Sequence, residues 1–540
     1  MPDTAPLTIQ PLPLPEHEFR TLPGRMRRHA AERPDHPALR EGERMLTWAQ
    51  TCALAERAAA LMIRKGLTRR AVVSIVADTP LDYCVAYLAG LAAGGCVAPM
   101  PVTAADATLA TMIADAGAPC VVASASQKDR VEAILASKPG LANVAKLALD
   151  FEAEGWTKLL DMDLPAPGED GSGGELPEIE PEDLFNIIYS SGTTGIPKGI
   201  VHTHLFRSRQ MPRFTANGVS PDSRTLLTTP LYSNTTLVAM IATLAEGGTV
   251  TFLPKWDTPT WLGLVESQKI TCCMLVPVLI QRLFKAEELA KTDISSLELT
   301  ICTSSPLAAA TKNEIIARWP GRFIELYGLT EGGVSAMLDL KAFPDKSGSV
   351  GQPALGSDLV LLDDDDRPVP QGEVGEVVGR SPAMMAGYHG RDDLTEKALL
   401  RLEDGRVVFR SGDLGRIDED GFLYIVGRKK DMIISGGFNI YATDLEEALH
   451  AHPDVQEVGV VGAPSEAWGE TPVAGVVLRP GASADAQAIL DGANANLGKT
   501  QRVSALHVLD ALPRNAVGKV LKPDLLAAVK DRAPDAVMSR

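Results

Sequence analysis

The segment richest in usable chemistry is NIIYSSGTTGIPKG, residues 186–199. An apolar, strand-like run, Asn186–Tyr189, leads into Ser190, Ser191, Gly192, Thr193, Thr194 and Gly195, and the segment closes on Lys198-Gly199. Glycine lets backbone N–H groups approach an anion closely, and the hydroxyls add donors. Lys198 supplies a point charge for terminal phosphates. The plainer alternative is a flexible Ser/Gly turn, but the preceding buried strand and the closing Pro-Lys-Gly favour phosphate binding. A Walker-type loop is excluded, because that motif sets its lysine directly after a glycine that opens a helix. Here Ile196 and Pro197 intervene, and proline has no N–H to offer.

Such a loop has to work against the field of the whole chain. The 540 residues carry 52 Lys+Arg against 69 Asp+Glu, a formal net charge of −17. That balance argues against a general nucleic-acid binder and requires any bound polyanion to be held locally. Seven cysteines, Cys52, Cys84, Cys96, Cys120, Cys272, Cys273 and Cys302, form no CxxC and no zinc spacing. Most sit in apolar segments, so buried free thiols in a reducing compartment are expected. The run Asp363–Asp366 reads as a solvated turn rather than a metal site, because consecutive carboxylates on a turn cannot all converge on one ion.

The elements needed to position the loop are legible in the hydrophobic pattern. Leu46–Lys65 has helical spacing, while Ala71–Val76 and Cys120–Ala123 read as buried strands. Tyr83–Ala105 carries no formal charge but is broken by Gly90, Gly94, Gly95, Pro99 and Pro101, so a buried helix, a turn and a strand are expected there, not a membrane span. The first twenty residues lack the apolar core of a signal peptide, and a cytoplasmic protein is expected. This βαβ rhythm implies α/β architecture with a parallel-rich sheet under helices. Segment 164–181 is a Pro/Gly/acid-rich surface loop, and the stretch around Val360 looks like a hairpin. From about Lys430 the pattern starts afresh as a compact α+β unit. The expected domains are therefore 1–429 and 430–540.

Further motifs follow the loop in order: ELYGLTE (Glu325–Glu331), VGQP (Val350–Pro353), GEVVGRSPAMMAGY (Gly375–Tyr388), SGD (Ser411–Asp413), GRKKDMI (Gly427–Ile433) and PRNAVGK (Pro513–Lys519). With the loop they closely resemble the signature of the adenylate-forming enzymes: acyl-CoA synthetases, adenylation domains of peptide synthetases and firefly-type luciferases. The resemblance covers most of the chain, from about Leu46 to Lys522. It implies a large N-terminal domain with a small β-barrel-like subdomain and a small mobile C-terminal domain. It implies ATP, Mg²⁺ and coenzyme A as cofactors and a small carboxylic acid as substrate.

The roles that follow are those the resemblance assigns. Thr330 donates to the α-phosphate, Glu331 is the Mg²⁺-linked glutamate, and Tyr327 stacks on adenine. Asp413 accepts from the ribose hydroxyls and Arg428 contacts the same ribose. Lys519 bridges the attacking carboxylate and the α-phosphate, where negative charge gathers in the transition state. Lys430 matches the hinge about which the C-terminal domain rotates between half-reactions. The rotation brings Ser435–Phe438, with Gly436, Gly437 and Phe438, to line the pantetheine channel. At Tyr441-Ala-Thr-Asp, relatives commonly have proline where Ala442 stands; Thr443 or Asp444 is expected to start that helix instead.

For the acid, the wall residues are Tyr232 and Ser233 in PLYSNT, Thr303, Ser304 and Ser305, and Met337. Ser233 replaces a histidine that is frequent in relatives. No acidic residue lies between Pro230 and Ala245, so an amino-acid ammonium would lack its counter-charge. No Lys or Arg lies in the wall segments 276–281, 302–306 or 332–337, which disfavours a dicarboxylate such as malonate. The expected substrate is mainly apolar: aromatic, arylalkanoic or medium-chain. The leading reading is an AMP-forming acid:CoA ligase, monomeric or homodimeric, with no nucleic-acid partner. Three others stay open: a stand-alone adenylating enzyme that loads a carrier protein, a luciferase-like oxidative enzyme, and a non-catalytic nucleotide-binding relative.

Overall fold

The uncharged stretch near Tyr83 goes inside the protein. The computed structural model describes residues 7–15, 17–169, 175–190, 197–436, 438–482, 484–498, 501–515 and 518–530. In it, helix Pro80–Ala92 is buried from Leu81 through Ala92, and the chain turns back as strand Cys96–Pro99. Gly94, at φ +72°, makes the reversal that a side chain would strain. No helix among the described residues is long and apolar enough to cross a membrane. The preceding helix, Trp48–Arg64, starts where a capping box forms: Thr47 Oγ1 accepts from Gln50 N and Gln50 Oε1 from Thr47 N.

The chain divides into two compact units, Met1–Leu359 with Gly379–Phe409, and Val360–Val378 with Arg410–Arg540. The first unit contains two sheets. One has nine strands, with five parallel pairings running from Pro37–Glu41 to Arg322–Gly328 and antiparallel strands at both edges. The other has eight strands, parallel through its centre, and carries the antiparallel hairpin of Leu184–Ser190 and Lys198–Thr203. Strands covered on both faces read as continuous apolar runs, which is why VVSIV and CVVA were visible in the sequence. All seven cysteines are free and buried. Burial pushes the Cys52 thiol up to about 12, so it is a packing group and not a nucleophile.

The second unit contains the hairpin of Val407–Ile417 and Leu423–Arg428 from residue 413 on, and a five-stranded sheet built on Val455–Ser465 and Gly469–Leu478. Its core packs helix Ala442–His450 and helix Ala486–Ala495 on that sheet through Leu445, Leu449, Ile489 and Val476. The helix at Ala442 starts differently from expectation. Tyr441 occupies the N-cap without a side-chain hydrogen bond, and the Thr443 hydroxyl donates instead to the Val426 carbonyl. In the aspartate run, Asp363 accepts from the backbone N–H groups of Asp365 and Arg367, closing the turn on itself.

Candidate active site

Ser190 ends one strand of the loop hairpin and Lys198 opens the next, facing each other across it. Ser191, Gly192, Thr193, Thr194 and Gly195 lie outside the described residues. Lys198 Nζ stands 5.4 Å from the centre of the Tyr388 ring. The Tyr388 hydroxyl donates to Glu331 Oε1 at 2.8 Å. Burial and the Glu331 charge raise the Tyr388 pKa, so the phenol stays a donor. A cation and a carboxylate from two distant motifs thus meet on one ring. The second Glu331 oxygen takes no hydrogen bond among the described residues, which suits a carboxylate that could hold a hard cation together with water and phosphate oxygens.

Thr330 follows strand Arg322–Gly328, and its carbonyl accepts from His202 Nε2 at 2.8 Å. His202 Nδ1 lies 3.0 Å from Asn186 Nδ2 and 3.1 Å from Arg207 Nη2. A guanidinium only donates, so Nδ1 is the acceptor and the proton sits on Nε2. Burial, and then the Arg207 charge, hold the His202 pKa well below its ordinary value and keep the ring neutral. Phe206 stacks flat on that imidazole at 4.0 Å. Arg207, itself 2% exposed, also donates to Asn186 Oδ1, Gln210 Oε1 and Asn234 Oδ1. One buried arginine therefore ties together the strand before the phosphate loop, the Thr330 turn through His202, and the start of helix Asn234–Glu246. After Glu331, Gly332 adopts φ +82°, and a Cβ there would stand 2.0 Å from the Ala383 carbonyl oxygen. The turn needs glycine for both reasons.

Tyr327 lies on the same strand, half-buried, opposite Ala336; its carbonyl accepts from Ser335 Oγ at 3.3 Å. Midway along that strand Glu325 forms a buried ion pair of 2.5 Å with Lys312, and Lys312 Nζ donates to Ser349 O. That lysine joins the start of ELYGLTE to the residue just before VGQP.

The expected acid-wall segments are drawn together. Thr235 Oγ1 and Ser304 Oγ are 2.5 Å apart, and Thr303 Oγ1 donates to Leu326 O. Ser304 holds φ +84° without being glycine, a backbone conformation that needs its surroundings to maintain it. Tyr232 OH lies 3.1 Å from Thr103 Oγ1, Ser233 stands at the helix N-cap, and Ser305 is half-buried beside Ser304. Met337 faces Leu326 across the sheet. Thr303, Ser304 and Ser305 follow the C-terminal end of the parallel strand Leu299–Cys302, and Met337 pairs with Leu326 near that of Arg322–Gly328, the end of the strands where open α/β sheets place their ligands.

In the second unit Asp413 and Arg428 are direct cross-strand partners, with an ion pair of 2.7 Å and the carboxylate almost wholly buried. Lys519 lies within the field of this pair. Loss of solvent around it, then the Arg428 and Lys430 charges, lower its ammonium pKa against the opposing pull of Asp413 and Asp431, although its outer surface remains accessible. Lys430 is exposed in the short turn Lys429–Asp431. Gly436, at φ +59°, packs so closely on Trp468 that a Cβ would meet the ring at 2.7 Å. Gly437 lies outside the described residues, and Phe438 is 51% exposed on the neighbouring strand.

The model of the AMP-binding enzyme family matches residues 26–389, and that of the AMP-binding enzyme C-terminal domain matches 444–519. The chain is an AMP-binding enzyme. Among curated AMP-binding relatives, the indoleacetate–CoA ligase of Aromatoleum aromaticum is 32% identical over 509 residues, covering 92% of this chain and 96% of its own. The feruloyl-CoA synthase of an Amycolatopsis species is 29% identical over 503 residues, covering 92% and 97%. ATP-bound MatB from Rhodopseudomonas palustris superposes with a TM-score of 0.82 at 29% identity, covering 95% and 100%. In this AMP-binding enzyme, Tyr388, His202, Asn186, Arg207 and Lys312 are the site-supporting side chains that sequence reading passed over. Tyr388 closes the motif GEVVGRSPAMMAGY and Asn186 opens NIIYSSGTTGIPKG, but neither motif shows what its side chain touches. His202, Arg207 and Lys312 lie outside the motifs.

Proposed function

We propose that the protein is an AMP-forming carboxylic acid:CoA ligase for a mainly apolar acid. The carboxylate oxygen attacks the α-phosphorus of ATP, the bond to the pyrophosphate oxygen breaks, and acyl-adenylate and pyrophosphate form. The coenzyme A thiol, losing its proton, then attacks the acyl carbonyl, and AMP leaves. The observation that carries this reading is the meeting of Lys198 and Glu331 on the Tyr388 ring, one turn from Thr330. It sets a phosphate-seeking cation and a metal-seeking carboxylate on either side of one donor. Glu331 would hold Mg²⁺, which neutralises phosphate charge when bound. Asp413 and Arg428 are suited to the ribose, Tyr327 to the adenine, and Lys519 to the two reacting anions. The relatives that act as CoA ligases on aromatic acids support both the thiol acceptor and the apolar substrate.

A pyrophosphate-release screen over aromatic, arylalkanoic and medium-chain acids, with and without coenzyme A, tests the reading. Acid-dependent pyrophosphate and a thioester only when coenzyme A is present are expected. Thioester on a carrier protein but not on coenzyme A would replace it with the carrier-loading alternative.

A further inference from the structure

Two guanidinium groups of the first unit, that of buried Arg207 and that of half-buried Arg213, have no carboxylate partner among the described residues. Arg207 and Arg213 form no ion pair among the described residues, and the sequence of the undescribed loop 191–196 contains no acid. Arg207 is satisfied by the neutral acceptors Asn186, Gln210 and Asn234 and by the His202 ring. Arg213 is not satisfied. Its Nη1 donates to Ser335 Oγ at 3.2 Å, its plane lies 5.3 Å from the Phe214 ring, and its Nε is buried with no hydrogen-bond partner. Burial, and then the Arg207 charge, lower the Arg213 pKa to about 10, a sign of positive charge held without compensation.

The position of this cation is informative. Ser335 and Met337 are two apart on strand Ser335–Asp339 and so share one face of the sheet. Met337 belongs to the acid wall, and Asn217, whose Nδ2 reaches both the Arg213 carbonyl and the Met337 sulfur, binds the arginine to that same face. Asn234, next to Thr235 at the start of helix Asn234–Glu246, receives its hydrogen bond from Arg207. The buried Nε–H of half-buried Arg213, left open, costs stability unless an acceptor arrives to meet it.

We propose that Arg213 is a specificity residue that receives an oxygen acceptor, a carbonyl or a carboxylate, borne by a mainly apolar acid away from its reacting carboxyl. The proposal rests on the ligase reading and narrows its substrate class. It also revises the expectation that the wall offers no cation: the guanidinium reaches the wall from helix Pro212–Thr215, outside the three wall segments.

The test compares 3-phenylpropanoate with its 4-acetyl and 4-carboxy counterparts. Two readouts are used: kcat/KM for pyrophosphate release, and the rise in melting temperature that each acid gives without ATP. The wild-type protein should favour an oxygen-bearing acid over the parent by about tenfold or more, as a hydrogen bond to a charged donor allows. Which of the two wins separates carbonyl from carboxylate. Arg213→Met should bring the ratio near one, and Arg213→Lys, which keeps the charge, should retain part of it. A wild-type protein with no preference, or a Met variant that loses all three acids equally, would overturn the proposal; equal loss would assign Arg213 to the reacting carboxyl or to the fold. If no acid releases pyrophosphate but the melting shifts keep the expected order, the ligase reading fails and this one stands.

Discussion

At the scale of single residues, Lys519 carries the heaviest demand. It is asked to neutralise a carboxylate and an α-phosphate that repel each other and to hold them in line. Only the ammonium can do this. Its surroundings lower its pKa, chiefly by removing solvent and secondarily through Arg428 and Lys430. The neutral amine therefore appears at lower pH than for a free lysine. The sign follows: first-step activity is full while the ammonium persists and falls as pH rises through the lowered pKa, so the alkaline limb should lie below the ordinary lysine value. Lys519→Ala should reduce acid-dependent pyrophosphate release by about 10²–10³-fold, the effect typical of one transition-state donor, and remove that alkaline limb. Thioester formation from preformed adenylate should be largely kept. Equal loss in both half-reactions would remove Lys519 from the role.

At the scale of elements, the question is what keeps the Thr330 turn in place. Arg207 fixes the His202 tautomer, and His202 in turn donates to Thr330 O. His202→Leu takes away that donor and leaves Asn186, Arg207 and a buried carbonyl short of a partner, a penalty of about 1–3 kcal/mol. First-step kcat should fall about tenfold or more, at 1.4 kcal/mol per tenfold, with the KM for ATP changing much less. His202→Gln, whose amide can both donate and accept, should recover part of the rate. If both variants lost rate and melting temperature in parallel, the histidine would be a packing group only. The sequence could not reveal this network. Its strands and glycine turns were readable because apolar periodicity and left-handed backbone are local properties, as at VVSIV and Gly94. Two of the His202 partners, Asn186 and Thr330, are 16 and 128 residues away, a pairing that no local pattern encodes. Arg207 and Arg213 were invisible for the same reason, since the wall they serve is built from other segments.

At the scale of the whole molecule, the proposed reaction gives the second unit two jobs. In it, Lys519 meets the reacting anions in the first half-reaction. The Gly436–Phe438 strand end, with its exposed aromatic ring and its glycine pressed on Trp468, is suited to the thiol arm in the second. If one active centre is to use both, the part of the second unit that follows the Asp413–Arg428 hairpin has to turn between half-reactions, and the chain needs a position that absorbs the backbone change. Lys430 fits, being exposed in a one-turn segment between the hairpin that ends at Arg428 and the sheet that begins at Ile433. Proline there would lock φ near about −65° and delete an N–H. Lys430→Pro should therefore leave acid-dependent pyrophosphate release within about threefold of wild type while slowing thioester formation about tenfold or more, as expected when a conformational step limits turnover. Single-turnover measurements on the two half-reactions distinguish the cases. A thioester rate equal to wild type would place the pivot elsewhere, and a matching fall in both rates would mean that the substitution disturbs the Asp413–Arg428 hairpin beside it rather than the rotation.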